Sequence, residues 1–194
     1  MRDGGRRIVT QLNVPQAVVR LGGAGIMRKD PDFIPAFVVN HILGGGSFTS
    51  RLYDEVREKR GLAYGVYDSL TWLDHASVLI GGTATRSAVT GEAIGIIESE
   101  IHRLADAGPI EQEVADAKSY LEGSYALGLD TSAKVAGQLV QMQLDNLGID
   151  YIDRRSSLIE AVTLADTRRV AKRLLDAGLL VTVVGQPQGV SSTE

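Results

Sequence analysis

Two residues on either side of Gly61, Arg57 and Tyr64, have side chains that could act on a polar substrate. A guanidinium and a phenol are hydrogen-bond donors that can stabilise a carbonyl oxygen or an oxyanion. Arg57 falls in the last turn of a predicted helix and Tyr64 near the start of a predicted strand. A turn at Gly61 would therefore bring both donors to the same rim of the molecule.

A structural role for the same two residues is the alternative. Arg57 stands three positions after Asp54 and could pair with it along the helix. Tyr64 alternates with Leu62 and Val66 and could be a core tyrosine on their face of the strand. The spacing alone favours these structural roles over a catalytic one.

The glycine run Gly44, Gly45 and Gly46 suggests a phosphate-binding loop, but its context does not fit one. A P-loop has the pattern G-x-x-x-x-G-K-[ST], in which backbone N–H groups and a lysine hold the phosphates. Here the run continues as Ser47–Thr49 without a lysine, and it follows a predicted helix rather than a strand. We interpret it as a joint between two helices, where glycine permits close packing or a positive φ.

Motifs for metal or nucleophilic catalysis are absent from the sequence. The histidines His41, His75 and His102 are scattered, and none belongs to H-E-x-x-H or H-x-x-E-H. There is no G-x-S-x-G motif, and a chain without cysteine has neither a thiolate zinc site nor a cysteine nucleophile. We predict no metal site built by this chain alone.

The amino-acid composition is typical of a folded globular domain. The chain has 194 residues, of which 44% are hydrophobic and 23% charged, with a net charge of −4. This size suits one domain, and the charge argues against nucleic acid or a membrane surface as the main partner. The N-terminus lacks the apolar run of a secretory signal. We expect a soluble protein, cytoplasmic or periplasmic, that was cut from a longer parent or works beside a partner.

Hydrophobic periodicity and turn residues divide the chain into strands and helices. The predicted strands are Arg7–Leu12, Gln16–Gly22, Ala63–Trp72, Ala76–Ala84 and Leu179–Val184. One helix is expected from Asp30 to the glycine run, and a second from a cap at Ser47 or Thr49 to Gly61. Further helices are expected at Val89–Ala107, Glu111–Gly128, Ser132–Leu147, Ile149–Val162 and Asp166–Ala177.

This order of elements predicts an α+β fold with a mixed, mostly antiparallel sheet and helices on one face. We expect a single domain over residues 1–185 and a polar, mobile tail over residues 186–194.

The stretch GGGSFTSRLYDEVREKRGLAYGVYDS resembles a family motif. It is similar to the second-half domain of the pitrilysin-type zinc peptidases, the inverzincins that include the mitochondrial processing peptidase. Their pattern G-G-G-x-x-S-R-L-[FY]-x-x-[LV]-R-[ET]-x-x-G-L-[AG]-Y is matched by Gly44–Gly46, Ser50–Tyr53, Val56–Glu58 and Gly61–Tyr64, with three residues rather than two between Gly46 and Ser50. The resemblance extends more weakly over nearly the whole chain.

The resemblance implies one half of a two-domain enzyme. In that family a first domain carries H-x-x-E-H and binds zinc, and a second domain faces it across a chamber. By motif position, Arg57 and Tyr64 would be the catalytic donors that reach the peptide held at the partner's zinc. Gly44, Gly45 and Gly46 would form a hinge or a substrate-binding wall near the domain junction.

Because this chain lacks H-x-x-E-H, the resemblance predicts that zinc comes from a homologous partner domain or subunit. We expect the isolated chain to bind no catalytic zinc and to cleave no peptide. Left alone, its partner-facing surface could pair with a second copy as a pseudo-symmetric homodimer. The alternative function is a non-catalytic scaffold or core subunit of a processing-peptidase-like assembly.

Overall fold

A computed structural model of the protein describes residues 5–193 and contains a mixed five-stranded sheet. Its strands are β1 (Arg7–Gln11), β2 (Gln16–Ala24), β3 (Ala63–Trp72), β4 (Ser77–Arg86) and β5 (Leu180–Gly185).

The strands lie in the order β1-β5-β2-β4-β3. Among these described strands, only β1 and β5 pair in parallel, and the other neighbouring strands are antiparallel. The predicted α+β class with a mostly antiparallel sheet is therefore confirmed. A short turn joins β3 to β4, closed by a 2.8 Å hydrogen bond from the Leu73 N–H to the Ala76 carbonyl.

Seven α-helical segments follow or interrupt these strands in the described part of the chain. They are α1 (Phe33–Asn40), α2 (Arg51–Tyr53), α3 (Thr90–Ala107), α4 (Glu111–Leu127), α5 (Ser132–Leu144), α6 (Tyr151–Glu160) and α7 (Leu164–Leu175). Each predicted helix has a counterpart with ends displaced by a few residues, except the second, of which only α2 is α-helical.

Alternation along the strands decides which face of the sheet is covered. On β2, Ala17, Val19 and Leu21 are buried, whereas Val18 and Arg20 are exposed. The buried face packs against α1, α3 and α7 in one large apolar core. Helices α4 and α6 form a smaller core with the other side of α1. Within residues 5–193, no helix packs on the opposite face of the sheet, as predicted.

The segment around the glycine run departs from the regular helices that we expected. Helix α1 continues into a wider π-helical turn, His41–Gly45, and a short 3₁₀ turn, Ser47–Thr49, follows. The cap predicted at Ser47 or Thr49 is wrong, because Ser47 has a positive φ of 49° and α2 begins after Ser50. The Ser50 hydroxyl donates to the Ser47 carbonyl instead of capping the helix.

Close packing explains two of the glycines: Gly44 lies against β3, and Gly46 lies against His41 of the π-helical turn. A Cβ atom at Gly44 would lie 2.6 Å from Oδ1 of Asp68 and 2.8 Å from its backbone nitrogen. A Cβ at Gly46 would lie 2.7 Å from the His41 carbonyl oxygen. Side chains at these positions would overlap their neighbours, so glycine is required for contact rather than for flexibility.

Asp68 lies at this contact, with 6% of its surface exposed. The Asn40 amide and the N–H groups of Gly44 and Gly45 lie near its carboxyl group, but none makes a hydrogen bond of good geometry with it. Burial therefore raises the pKa of Asp68 to about 8, and the nearby donors offset only part of this effect. The turn thus covers a carboxyl group that favours its protonated form.

Acidic residues before α1 are tied to α7 by ion pairs. Arg169 donates to Asp32 at 2.7 Å, and Arg173 donates to Asp30 at 2.7 Å and also contacts Asp32. The hydrogen bond from Arg169 is the main cause that lowers the pKa of Asp32 to about 2. These contacts fix the start of α1 over the sheet.

The C-terminal tail, which we expected to be mobile, lies along the edge strand β1. The hydroxyls of Ser192 and Thr193 accept hydrogen bonds from the backbone N–H groups of Val9 and Arg7, at 2.9 and 2.7 Å. They satisfy donors that an edge strand would otherwise leave unpaired. Residues 1–4 of the predicted domain and residue 194 of the predicted tail lie outside the described residues.

We predict that Gly44→Ala destabilises the protein by about 1–3 kcal/mol, because the added methyl group must displace Asp68 or the backbone of β3. Urea unfolding would measure the change in the free energy of unfolding. The matched control is Gly95→Ala in α3, where an added Cβ has no neighbour within 4 Å. That change should be neutral or stabilising by up to about 1 kcal/mol, because alanine favours helix. Equal stability of the two variants would contradict the proposed contact.

The raised pKa of Asp68 makes stability depend on pH. Above its ordinary pKa of 3.8 and up to about 8, the folded state binds a proton that the unfolded chain has released. The free energy of unfolding should therefore fall as pH rises across this window. Burial lowers the pKa of His41, which contributes with the opposite sign near its ordinary pKa of 6.5. A comparison of variants at Asp68 cancels the His41 contribution.

We expect Asp68→Asn to gain stability relative to wild type between about pH 5 and about pH 9, by more than about 1 kcal/mol. Urea unfolding at several pH values would measure this difference, with Asp74→Asn in the exposed β3–β4 turn as control. A difference between Asp68→Asn and wild type that stays constant with pH would show that Asp68 titrates normally.

Candidate functional site

Arg57 is positioned by the end of the helical segment that follows the glycine run. After α2 the chain forms a second π-helical turn, Asp54–Glu58, which contains Arg57. Gly61 ends the segment with a φ of +59°, as its predicted C-terminal position requires. The N–H groups of Gly61 and Leu62 donate to the carbonyls of Arg57 and Val56, each at 2.9 Å. The chain then turns directly into β3.

Tyr64 is exposed because β3 begins with a β-bulge. Ala63 pairs with Thr85 and Val66 with Thr83, so Tyr64 and Gly65 together oppose a single residue of β4. The bulge breaks the alternation and puts Tyr64 on the face opposite to Val66. The tyrosine side chain is 86% exposed, so the alternative of a core tyrosine is wrong.

Threonine hydroxyls on β4 satisfy carbonyl groups at the bulge. Thr83 donates to the Gly65 carbonyl at 2.7 Å, and Thr85 donates to the Leu62 carbonyl. Both threonines are buried. Buried carbonyl groups require such partners, so these bonds hold the bulge in its observed shape.

Arg57 and Tyr64 contact each other directly. The guanidinium carbon of Arg57 lies 4.6 Å from the centre of the Tyr64 ring and 4.8 Å from that of Tyr53. Both distances are within the range of cation–π contacts. Tyr53 in turn meets Phe48 edge to face, with ring centres 5.0 Å apart. The result is a continuous stack, Phe48–Tyr53–Arg57–Tyr64, whose two ends are exposed.

The predicted pairing of Arg57 with Asp54 is not what the structure shows. Asp54 pairs with Lys59 at 2.7 Å. Arg57 is 3.7 Å from Glu58, whose side chain is 58% exposed, so this ion pair is weak and screened by solvent. The aromatic rings, rather than a carboxylate, are the main neighbours of the Arg57 guanidinium.

A shallow groove of about 610 Å³ runs from the stack across the uncovered face of the sheet. Arg20 of β2 and Tyr67 of β3 line it beside Arg57 and Tyr64. Nη1 of Arg20 donates to the Tyr67 hydroxyl at 2.8 Å. The groove therefore combines two guanidinium groups, exposed aromatic rings and a tyrosine hydroxyl, which suits an extended chain with carbonyl groups.

Sequence reasoning missed Arg20, Phe48 and Tyr67 as groove residues. Alternation along β2 could have placed Arg20 on the face opposite to Val19. The face of Tyr67 depends on the bulge, which no local signal marked, and the position of Phe48 depends on the positive φ of Ser47.

The glycines that we expected at the substrate do not line the groove. Gly44 and Gly46 are buried and Gly45 lies between them on the surface. The packing of the glycine run against β3 instead fixes the position of the next two residues, Ser47 and Phe48, which do line the groove.

The residues present do not fit a zinc site. Within residues 5–193, no three His, Asp or Glu side chains are grouped closely enough to hold a metal ion. His41, for example, is buried beside the Tyr120 ring, with ring centres 4.8 Å apart. Over the same residues, no helix is long and apolar enough to cross a membrane.

The fold and the motif define a class of peptidase domain. Residues 2–121 match the family described as the peptidase M16 inactive domain, which covers more than half of the chain. The chain belongs to this family, so the family predicted from the glycine-to-tyrosine motif is confirmed.

Particular relatives agree with this assignment. The chain is 31% identical over 188 residues to a protein named an uncharacterised zinc protease from Streptomyces coelicolor, across 95% of this chain and 40% of that one. It is 32% identical over 154 residues to a similarly named protein from Mycobacterium tuberculosis, across 79% of this chain and 35% of that one. The chain thus spans less than half of the length of these relatives.

A solved structure supports the fold. The crystal structure of a peptidase M16 inactive domain from Pseudomonas fluorescens superposes with a TM-score of 0.86 at 28% identity, over 98% of this chain and 45% of that one. The predicted membership of a zinc metallopeptidase family therefore holds at the level of the family.

Proposed function

We propose that the chain is the substrate-binding and transition-state-assisting half of a zinc-dependent metalloendopeptidase. The observation that carries this proposal is the contact between Arg57 and the exposed ring of Tyr64, at the end of a groove that is open to solvent. A tyrosine that is 86% exposed contributes little to a core, so its position beside a guanidinium group is better explained by a ligand.

Tyr64 would donate its hydroxyl hydrogen to the carbonyl oxygen of the scissile peptide bond, where negative charge grows in the transition state. Arg57 would hold the Tyr64 ring by its stacking contact, and its positive charge would strengthen the donor. Arg20 and Tyr67 would bind backbone carbonyls of the peptide further along the groove. The glycine run would act indirectly, since it sets the position of Phe48 at the rim.

The zinc that activates water would come from a homologous partner domain or subunit, because residues 5–193 contain no group of side chains that could hold a metal ion. The relatives' greater length supports this division, since the chain covers 40% of the Streptomyces coelicolor protein. The substrate would be an extended peptide or unfolded segment, whose backbone carbonyls suit the donors in the groove. A scaffold subunit without catalysis is the competing function.

Peptide hydrolysis by a reconstituted pair of halves tests the proposal. This chain would be mixed with the H-x-x-E-H half of the same parent protein and zinc, and assayed with quenched-fluorescent peptides. We expect activity in the mixture and none from either half alone. In the mixture, Tyr64→Phe should lower kcat by on the order of 10²–10³, because one transition-state donor is lost. KM should change much less.

The matched control is Tyr120→Phe, which removes the hydroxyl of a tyrosine on α4 that is 54% exposed and outside the groove. It should leave kcat unchanged. A mixture that assembles but cleaves nothing would favour the scaffold function. Activity that Tyr64→Phe leaves unchanged would remove Tyr64 from the mechanism.

A further inference from the structure

A second cavity, of about 240 Å³, lies among the helices, where α1 and the end of β3 meet α4, α5 and α6. It shares no lining residue with the groove that contains Arg57 and Tyr64. Its lining includes two arginines, Arg28 and Arg155, among aromatic and aliphatic side chains. Two guanidinium groups in a largely apolar cavity call for an explanation, because desolvated charges need partners.

Arg28 has its partners within the protein. Its guanidinium carbon lies 4.3 Å from the centre of the Phe33 ring and 5.1 Å from that of Tyr151. Nε of Arg28 is 3.6 Å from the Asp145 carboxylate, which also accepts a 2.9 Å hydrogen bond from the indole N–H of Trp72. Aromatic faces and one carboxylate thus balance this arginine.

Arg155 has no such balance. Its guanidinium stacks on the Tyr125 ring at 4.2 Å and donates one hydrogen bond, of 2.9 Å, to the Leu121 carbonyl. No carboxylate within residues 5–193 forms an ion pair with it, and Glu122 acts on it only weakly. Burial lowers the pKa of Arg155, a sign that its charge is partly desolvated. Most of its N–H donors have no acceptor among the described residues, since the bond to Leu121 is the one hydrogen bond that it makes there.

The Tyr125 hydroxyl, on the ring under Arg155, is a second unsatisfied group. This hydroxyl group is buried and has no hydrogen-bond partner among residues 5–193. Burying a hydroxyl without a partner costs free energy, so the site gains when an acceptor arrives. The ionised groups that line the cavity are Arg28, Arg155 and Asp145, which leave one net positive charge.

We propose that this cavity is a binding site for a small aromatic carboxylate. The carboxylate would accept hydrogen bonds from Arg155 and from the Tyr125 hydroxyl, and the ring would pack among the apolar side chains around Phe33 and Trp72. Charge-assisted hydrogen bonds from a guanidinium are among the stronger polar contacts. The volume admits a fragment with one ring, below the range of drug-sized ligands. This site is independent of the proposed peptidase function.

Two sources could supply this chemistry, a free aromatic acid or the C-terminal residue of a peptide. Phenylacetate represents the first, and N-acetylphenylalanine represents the second. Phenylacetamide has the shape of phenylacetate without its charge. Binding of each probe to the 194-residue chain would be measured by NMR titration and by calorimetry. A higher affinity for one of the two acids identifies the source, and binding of either supports the site.

We expect phenylacetate to bind at least about tenfold more tightly than phenylacetamide, since hydrogen bonds to a charged partner are worth more than neutral ones. Arg155→Met should weaken phenylacetate binding by about tenfold or more. Tyr125→Phe, which keeps the ring, should weaken it by about threefold to tenfold. The control is Arg154→Met, an exposed neighbour on α6 that does not line the cavity and should leave the affinity unchanged.

Equal affinities for phenylacetate and phenylacetamide would overturn the proposal, because the charge would then have no role. Binding of phenylacetate that survives both Arg155→Met and Tyr125→Phe would place the ligand elsewhere and also overturn it. If neither phenylacetate nor N-acetylphenylalanine bound saturably up to about 10 mM, the proposal would also be overturned. Tyr125→Phe and the amide probe keep the test decisive if Arg155→Met fails to fold.

Discussion

The π-helical turn His41–Gly45 can approach strand β3 this closely only because Gly44 has no side chain. At Gly44 even one methyl group would overlap Asp68, so the two backbones can approach only because this residue has no Cβ atom. The close approach encloses the Asp68 carboxyl group and raises its pKa. The same approach fixes the path of the chain into α2 and on to Arg57. The helical connection and the first strand after it are therefore one packed unit.

The β-bulge at the start of β3 determines which side chains this unit presents. With regular alternation, Tyr64 and Val66 would point to the same face of the sheet. The bulge places them on opposite faces. Val66 enters the core, whereas Tyr64 reaches the uncovered face of the sheet and meets Arg57. Buried threonine hydroxyls compensate the disturbed pairing. One face of β3 can thus contribute to stability while the other faces the groove.

Polar groups on the two sides of the molecule are satisfied to different extents. On the sheet face, Arg20 donates a hydrogen bond to Tyr67, and both residues are exposed along the groove. Among the helices, Arg28 is balanced by aromatic rings and Asp145, whereas Arg155 faces the cavity with a single hydrogen bond. Unbalanced charge in a partly closed space favours a ligand more than the same charge in water does. The two sites therefore differ in the kind of ligand they would hold.

The sequence by itself determined the elements, their order, the α+β class and the family, because hydrophobic period, turn residues and a long motif are local signals. It also placed Gly61 at a helix end and brought Arg57 near Tyr64. Only the tertiary structure decided that Tyr64 is exposed, since the bulge arises from pairing with β4. Likewise, the contact of Gly44 with Asp68 joins residues that are distant in the chain. The lack of an ion-pair partner for Arg155 also depends on how distant helices pack, and no local pattern encodes such packing.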